Sequence, residues 1–255
     1  MRNRTPAAVE ADAFQWLAEL PFHACLEKEA ATLAANKGER TRARLIAAAA
    51  YHLESDGFVA LRVTDICRRA GISQGAFYLY FKNKTEIAVS VLSKFNERSL
   101  GLMRTEGPRS TAWEAIRSSI ALITRIYRLN PGLMRCLWQV NDETPEFGEI
   151  LRRSNIIWMR TVSRSIVRRA EMDDSVGSLP LVVTYAMASM VDHFLVQLYV
   201  TCDPQLSELV ADEAAAVEVL SALWYRAVWR ANPPDGALSY AAAIEKFVLK
   251  EQNSD

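Results

Sequence analysis

The stretch DICRRAGISQGAFYLYFKNK, residues 65–84, decides the fold. Asp65 to Ala70 closes an apolar-periodic helix, and Gly71 turns the chain. Ser73 then suits an N-cap, where a hydroxyl accepts a bond from an orphan backbone N–H. Ile72 before that cap and Phe77 after it have the spacing of a hydrophobic staple. Phe77 and Phe81 stand four apart, which puts both rings on one helical face. Gln74, Gly75, Tyr78 and Leu79 are left on the other face, with little reason to be buried in a three-helix unit. Asn83 caps the helix that follows, with Glu86 at the capping-box position. Lys84 in its first turn opposes the helix dipole by about 0.3–1 kcal/mol. That conflict disappears when a phosphate sits there, because the helix N-terminus and the ammonium together favour an anion. Two helices around a glycine turn, the second with an exposed polar and aromatic face, form a helix-turn-helix. Such a motif presents its second helix to the DNA major groove.

Outward from this segment nearly every pattern is helical, with no sustained period-two alternation. Arg40 to Ser55 is a helix with Leu45, Ala49 and Leu53 on one face, ended by Gly57. Val63 to Ala70 follows, with Val63, Ile66 and Ala70 facing inward. The later helices are Thr85 to Arg104, Thr111 to Leu129, Leu133 to Val140, Glu146 to Arg169, Leu179 to Val200 and Asp212 to Arg230. A short one at Leu238 to Lys250 closes the series. Upstream, Ala11 to Ala35 forms an amphipathic helix interrupted by Pro21, behind a frayed tail carrying Arg2 and Arg4. The expected fold is all-α. A three-helix helix-turn-helix DNA-binding domain spans 39–86, after an extension over 1–38. A helical ligand-binding and dimerisation domain spans 87–232, and a short helix and tail span 233–255.

The 255 residues carry 30 Lys and Arg against 30 Asp and Glu, so the net charge is zero. The balance is not uniform. Between Glu39 and Lys84 eight basic residues face four acidic ones, leaving +4 there and an equal acidic excess elsewhere. A basic module on an acidic body suits a protein that meets phosphate at one end. Cys25, Cys67, Cys136 and Cys202 form no CxxC pair, which indicates buried thiols rather than a zinc site or a disulfide framework. No signal peptide opens the chain and no uninterrupted apolar run reaches spanning length, so a cytoplasmic protein with no membrane partner is expected.

Enzyme chemistry finds no constellation. His23, His52 and His193 lie in unrelated segments, and there is no Gly-rich phosphate loop. The acidic run NDETPEFGE, residues 141–149, has no histidine near it and is expected to be a solvated loop rather than a metal site. No cofactor, metal or catalytic residue is expected. The alternatives to a regulator are an architectural, nucleoid-type DNA-binding protein without a ligand and a helical enzyme.

The run TRARLIAAAAYHLESDGFVALRVTDICRRAGISQGAFYLYFKNKTEI, residues 41–87, resembles the DNA-binding domain of TetR/AcrR-family transcriptional regulators. The resemblance rests on Arg42, Ala48-Ala49, Gly57-Phe58, Asp65-Ile66, Ala70-Gly71, Phe77-Tyr78, Phe81 and Lys84. It implies a recognition helix from Gln74 to Tyr80 that meets double-stranded DNA. Tyr78 falls at a phosphate-contacting tyrosine, Tyr80 where a histidine is common, and Lys84 at a backbone-contacting lysine. Ser73, Gln74 and Gly75 lie at the helix start, where base edges are met. Gln suits adenine, and glycine permits close approach. Arg40 or Arg42 is placed near phosphate. The family often has Thr-Ser or Thr-Thr before its second helix. This chain has Leu61-Arg62, which leaves Arg62 as a further phosphate contact. The recognition helix is nearly bare of long polar side chains, so shape and backbone contacts carry much of the specificity.

The resemblance also implies a ligand-responsive repressor that binds a palindromic operator as a homodimer. The last two long helices are apolar on more than one side and need two partners. Tyr185, Met190, Phe194 and Leu198 on one, with Leu220, Leu223, Trp224 and Val228 on the other, are the dimer candidates. Trp113, Tyr127, Met134, Trp138, Trp158, Met159 and Met187 are candidates for an apolar effector pocket, although such residues at helical spacing more often make plain core. His193 is a candidate ligand contact, with a core or interface role as the alternative.

Overall fold

The computed structural model describes residues 19–105, 111–138 and 145–246. Among them the regular elements are all helical. They are α1 (Phe22–Thr32), α2 (Lys37–Ser55), the single turn α3 (Gly57–Ala60), α4 (Val63–Ala70), α5 (Gln74–Phe77) and α6 (Lys84–Thr105). Then come α7 (Ala112–Leu129), α8 (Pro131–Trp138), α9 (Pro145–Arg169), α10 (Leu179–Leu195), α11 (Pro204–Leu209) and α12 (Glu213–Trp229). A π-helical turn, Val196–Val200, continues α10, and a 3-10 turn, Ala242–Lys246, closes the described chain.

The chain divides into two compact units. The first takes in residues 19–105, 125–138, 145–160 and 199–201 of those described. Its centre is the α2 face expected from the sequence, with Leu45, Ala49 and Leu53 fully buried, as are Ile66, Phe77 and Ile87. α1 lies on this group, and Phe22 meets Phe95 with ring centroids 5.3 Å apart. The Phe22 N–H donates to buried Asn130 Oδ1 at 2.7 Å. Arg98 clasps Glu29 with two bonds of 2.5 and 2.7 Å, and Arg69 reaches Glu27 at 2.7 Å. α1 is therefore an integral part of this unit, held by ion pairs on its polar side and by Phe22, Cys25 and Leu26 on its buried side. Burial pushes the Cys25 and Cys136 thiols up to about 11, which keeps them protonated and unreactive.

The second unit takes in residues 111–124, 161–198 and 202–246. Asp212 caps α12 by accepting from Ala215 N–H at 2.8 Å. Trp113 stands edge-on to Tyr225 at 5.7 Å, and Tyr225 stacks on Trp229 at 5.6 Å. Glu218 gathers the chain that follows α12 by accepting from Ser239 and Ala241 N–H, each at 2.6 Å.

Several expectations are corrected. The recognition helix closes at Phe77 rather than Tyr80, and 78–80 form a turn. The Leu238–Lys250 helix is represented by the 3-10 turn Ala242–Lys246, and later residues lie outside those described. The acidic run is helical from Pro145 onward. There Phe147 is buried edge-on to Phe58 at 4.9 Å, so apolar contact overrides the polar composition. Cys202 is exposed, not buried, on a residue with φ of 52°. Leu179–Val200, 22 residues long, is apolar enough to cross a membrane by length and composition, and 22 % of its most apolar stretch is buried. Arg2, Arg4 and the part of the N-terminal helix before residue 19 lie outside the described residues.

Candidate nucleic-acid interface

The geometry of the site starts at Gly71. Its φ of 64° lies in the left-handed region that closes α4, a conformation glycine adopts without strain. The Arg44 guanidinium donates to the carbonyl of Ala70, fastening this corner to α2. Ser73 Oγ then accepts from Ala76 N–H at 3.2 Å, the expected cap. The helical coil does not unwind after Phe77. Leu79 N–H donates to Ala76 O at 3.3 Å, while Tyr80 and Phe81 N–H donate to Phe77 O at 2.9 and 3.1 Å. Residues 74–81 therefore keep a helical distribution of side chains. Phe77 and Phe81 are buried, 5.8 Å apart, against the rest of the unit. Ser73, Gln74, Gly75, Tyr78 and Leu79 are all exposed on the outer side.

Tyr78 is 57 % exposed and lies edge-on to Phe77 at 5.3 Å, so a buried neighbour steadies its ring. A Cβ added at Gly75 would meet nothing within 4 Å. Tyr80 is half-buried, and its hydroxyl lies near Gly38 at the start of α2. Arg40, Arg42 and Arg62 are exposed, and the Arg42 guanidinium sits 5.1 Å above the Phe81 ring. Arg62 occupies the N-cap of α4 with no side-chain cap bond, as its departure from the Thr pattern suggests.

Lys84 behaves differently from the exposed arginines. It is half-buried, and its Nζ donates to Phe58 O and Val59 O, both at 3.3 Å, with the Phe58 ring 4.8 Å away. The ammonium thus joins the start of α6 to the carbonyl end of α3. Asn83 caps α6 by accepting from Glu86 N–H at 2.9 Å. Glu86 returns its bond to Lys82 N–H at 2.6 Å, one residue before the expected capping-box partner.

A second arrangement anchors the rear of the module. Glu54, in the last turn of α2, accepts from Gly132 and Leu133 N–H at 2.8 and 3.0 Å. It thereby caps the N-terminus of α8. Burial raises its pKa, and the two backbone bonds oppose that rise. Cys136 Sγ approaches Leu53 O at 3.8 Å on the same seam. Sequence reading missed Arg44, Glu54 and Gly132. The signal for Glu54 was an acid at the wrong end of a helix dipole, a local conflict that needs an external partner.

The body candidates scatter. Tyr127, Met134 and Met159 are buried in the first unit, with Trp158 half-buried there. Trp138 is exposed at its edge, and its Nε1 donates to Tyr127 Oη at 2.9 Å. Trp113 is buried and Met187 half-buried in the second unit. His193 is exposed, on the outer stripe of α10 rather than in an interior. That stripe runs through Leu179, Val182, Tyr185, Ser189 and His193, with Leu179 61 % and Val182 58 % exposed. Met190, Phe194 and Val228 are half-buried, and Leu223 is exposed. Leu198, Leu220 and Trp224 are covered by the chain itself, so they are core rather than available surface. Their helices have two apolar faces, and these residues occupy the inner one.

Residues 45–91 match the family of bacterial regulatory proteins described as the tetR family. Over 63 residues the chain is 38 % identical to the uncharacterized HTH-type transcriptional regulator YdgC of Bacillus subtilis, covering 25 % of this chain and 32 % of that protein. Over 145 residues it is 24 % identical to the HTH-type transcriptional regulator EthR of Mycolicibacterium smegmatis, covering 56 % of this chain and 67 % of that one. The match thus spans about a third of the first relative and two thirds of the second. Among solved structures, a TetR-family transcriptional regulator from Syntrophomonas wolfei is similar with a TM-score of 0.58 at 13 % identity, over 76 % of this chain and 97 % of that chain.

Proposed function

We propose that the chain, whose residues 45–91 match the tetR family of bacterial regulatory proteins, is a DNA-binding transcriptional regulator acting as a ligand-responsive repressor. The observation that carries the reading is the outward face of residues 73–79. Its backbone is fixed by buried Phe77 and Phe81, and it leaves Gln74, Gly75 and Tyr78 free for a partner. Between Asp65 and Glu86 the chain has four basic residues and no acidic one, which favours a polyanion. Tyr78 contacts phosphate, and Gln74 and Gly75 meet base edges. Arg40, Arg42 and Arg62 supply sequence-independent attraction. Lys84 contacts phosphate with whatever donor capacity its two carbonyl bonds leave. Ser73 and Tyr80 hold the two ends of the segment in place.

The repressor works as a homodimer. Two recognition segments about 34–36 Å apart match a palindromic operator. The exposed α10 stripe, with Leu223 on α12, is the self-complementary surface that supports pairing. The effector is small and apolar. The interior of the first unit offers Tyr127, Met134 and Met159 to it, and methionine repacks readily around apolar ligands. α6 begins beside the recognition segment and carries the shift. The Glu54 link between α2 and α8 is a second rigid joint by which displacement of α8 reaches the module. DNA and effector then weaken each other's binding by the same factor.

Selection of bound duplexes from random DNA, with and without candidate metabolites, tests this. A palindromic product with salt-sensitive affinity, released by an apolar metabolite, is expected. Absence of salt-sensitive binding to every duplex refutes the regulator reading. A non-palindromic or sequence-independent product favours the architectural alternative.

A further inference from the structure

Leu79 is 81 % exposed, although a leucine has nothing to gain from water. It is not on a loose tip. Its own N–H is bonded to Ala76 O, and the next two N–H groups are bonded to Phe77 O, so the backbone beneath it is fixed. At 100° per residue, positions 75 and 79 lie opposite Phe77, the fully buried anchor of the segment. Leu79 therefore stands at the outermost line of this outward face, one helical turn beyond Gly75. At Gly75 nothing lies within 4 Å of where a Cβ would be, so the helix can approach a groove floor closely.

Apart from Tyr78, assigned to phosphate above, the same face has one long polar side chain, Gln74. Hydrogen bonding alone gives this segment little to read with. On the base edges of the major groove the apolar group is the C5-methyl of thymine. We infer that Leu79 reads that methyl group, as an apolar specificity contact beside the polar contact of Gln74. This rests on the DNA-binding reading above. Four residues of helix advance about 6 Å, which is close to two base steps of about 3.4 Å. The thymine therefore lies about two base pairs from the position met by Gly75 and Gln74.

Uracil differs from thymine at this edge only by the missing methyl. The test takes the full chain and its best selected duplex, and replaces each thymine in turn by deoxyuridine. At one position per half-site the wild-type chain should lose about fourfold in affinity, the equivalent of ~0.8 kcal/mol per buried methyl or methylene group. That position should fall about two base pairs from the one whose preference Gln74→Ala relaxes. Leu79→Ala should bind the thymine and uracil duplexes equally, and Leu79→Met should keep the discrimination. The inference is overturned if no thymine-to-uracil change weakens wild-type binding. It is also overturned if Leu79→Ala retains the discrimination, or changes oligomeric state instead, which would assign the leucine to a second copy. In those cases DNA binding itself persists. Loss of all salt-sensitive retention on duplex DNA would remove the regulator reading first and this contact with it.

Discussion

Replacing Gly132 by alanine should force α8 away from α2. The new Cβ would stand 2.6 Å from the Glu54 carbonyl carbon and 2.7 Å from its Cα, with the carbonyl oxygen nearer still. Carbon atoms settle at about 3.5–4.0 Å, so the helices must part by about 1 Å. The Gly132 and Leu133 N–H groups now lie 2.8 and 3.0 Å from the Glu54 carboxylate. After that shift both bonds are lost or badly stretched. Bonds to a charged group contribute about 1.5–3 kcal/mol each, and the carboxylate would be left buried. Alanine returns up to ~1 kcal/mol through helix propensity. The net loss is about 2–6 kcal/mol, and ~2–4 °C per kcal/mol for a chain of this size gives a fall in Tm of roughly 4–24 °C. Thermal unfolding followed by far-UV circular dichroism measures it. Gly75→Ala is the contrast, because its Cβ enters open space and its φ is not positive. It should be neutral or stabilise by about 0.4–1 kcal/mol. An unchanged or raised Tm for Gly132→Ala would refute the close packing of α8 on Glu54.

Lys84→Ala removes two carbonyl bonds and should cost about 1–2 kcal/mol of stability in denaturant unfolding. It should also flatten the log–log salt dependence of DNA affinity by ~0.9. Lost stability with an unchanged slope would leave the lysine a purely internal role. His23 is held below its ordinary value of 6.5, first by burial and then by Arg69, with Glu27 opposing. A depressed histidine binds fewer protons when folded, so stability should rise with pH up to about 6.5 and then level off. His23→Gln should remove that slope from pH-dependent unfolding curves, and a slope of the same size in the variant would exonerate His23. Val182→Asp puts a charge on the exposed α10 stripe and should weaken self-association at least about tenfold, a loss of ~1.4 kcal/mol. Analytical ultracentrifugation reads this, and an unchanged dissociation constant would move the dimer surface elsewhere.

The segment from Gly71 to Phe81 was legible because its signals are local. Ser73 accepts the bond its position calls for, Gly71 takes the positive φ, and Phe77 and Phe81 bury as their spacing requires. The limits of α4 were read without error for the same reason. Lys84 was read as a conflict awaiting an anion, and the structure supplies carbonyl oxygens from α3, 25 and 26 residues away. The local conflict was real, but sequence spacing did not reveal this partner. In α10 and α12 apolar residues were recognised on two faces, yet which face was inner depended on neighbours far along the chain. Leu198, Leu220 and Trp224 turned inward, while Leu179 and Val182 stayed out.

By itself the sequence determined the helical periods, the glycine corner and the outward face of residues 74–79. These follow from 3.6-residue geometry and from bonds that close within a few residues. Tertiary structure decided that Arg44 and Glu54 are joints, that α1 is bolted on through Glu27 and Glu29, and that His193 faces outward. Those outcomes depend on pairings between segments up to about a hundred residues apart. Desolvation and charge select such pairs only once the chain has collapsed and brought them together.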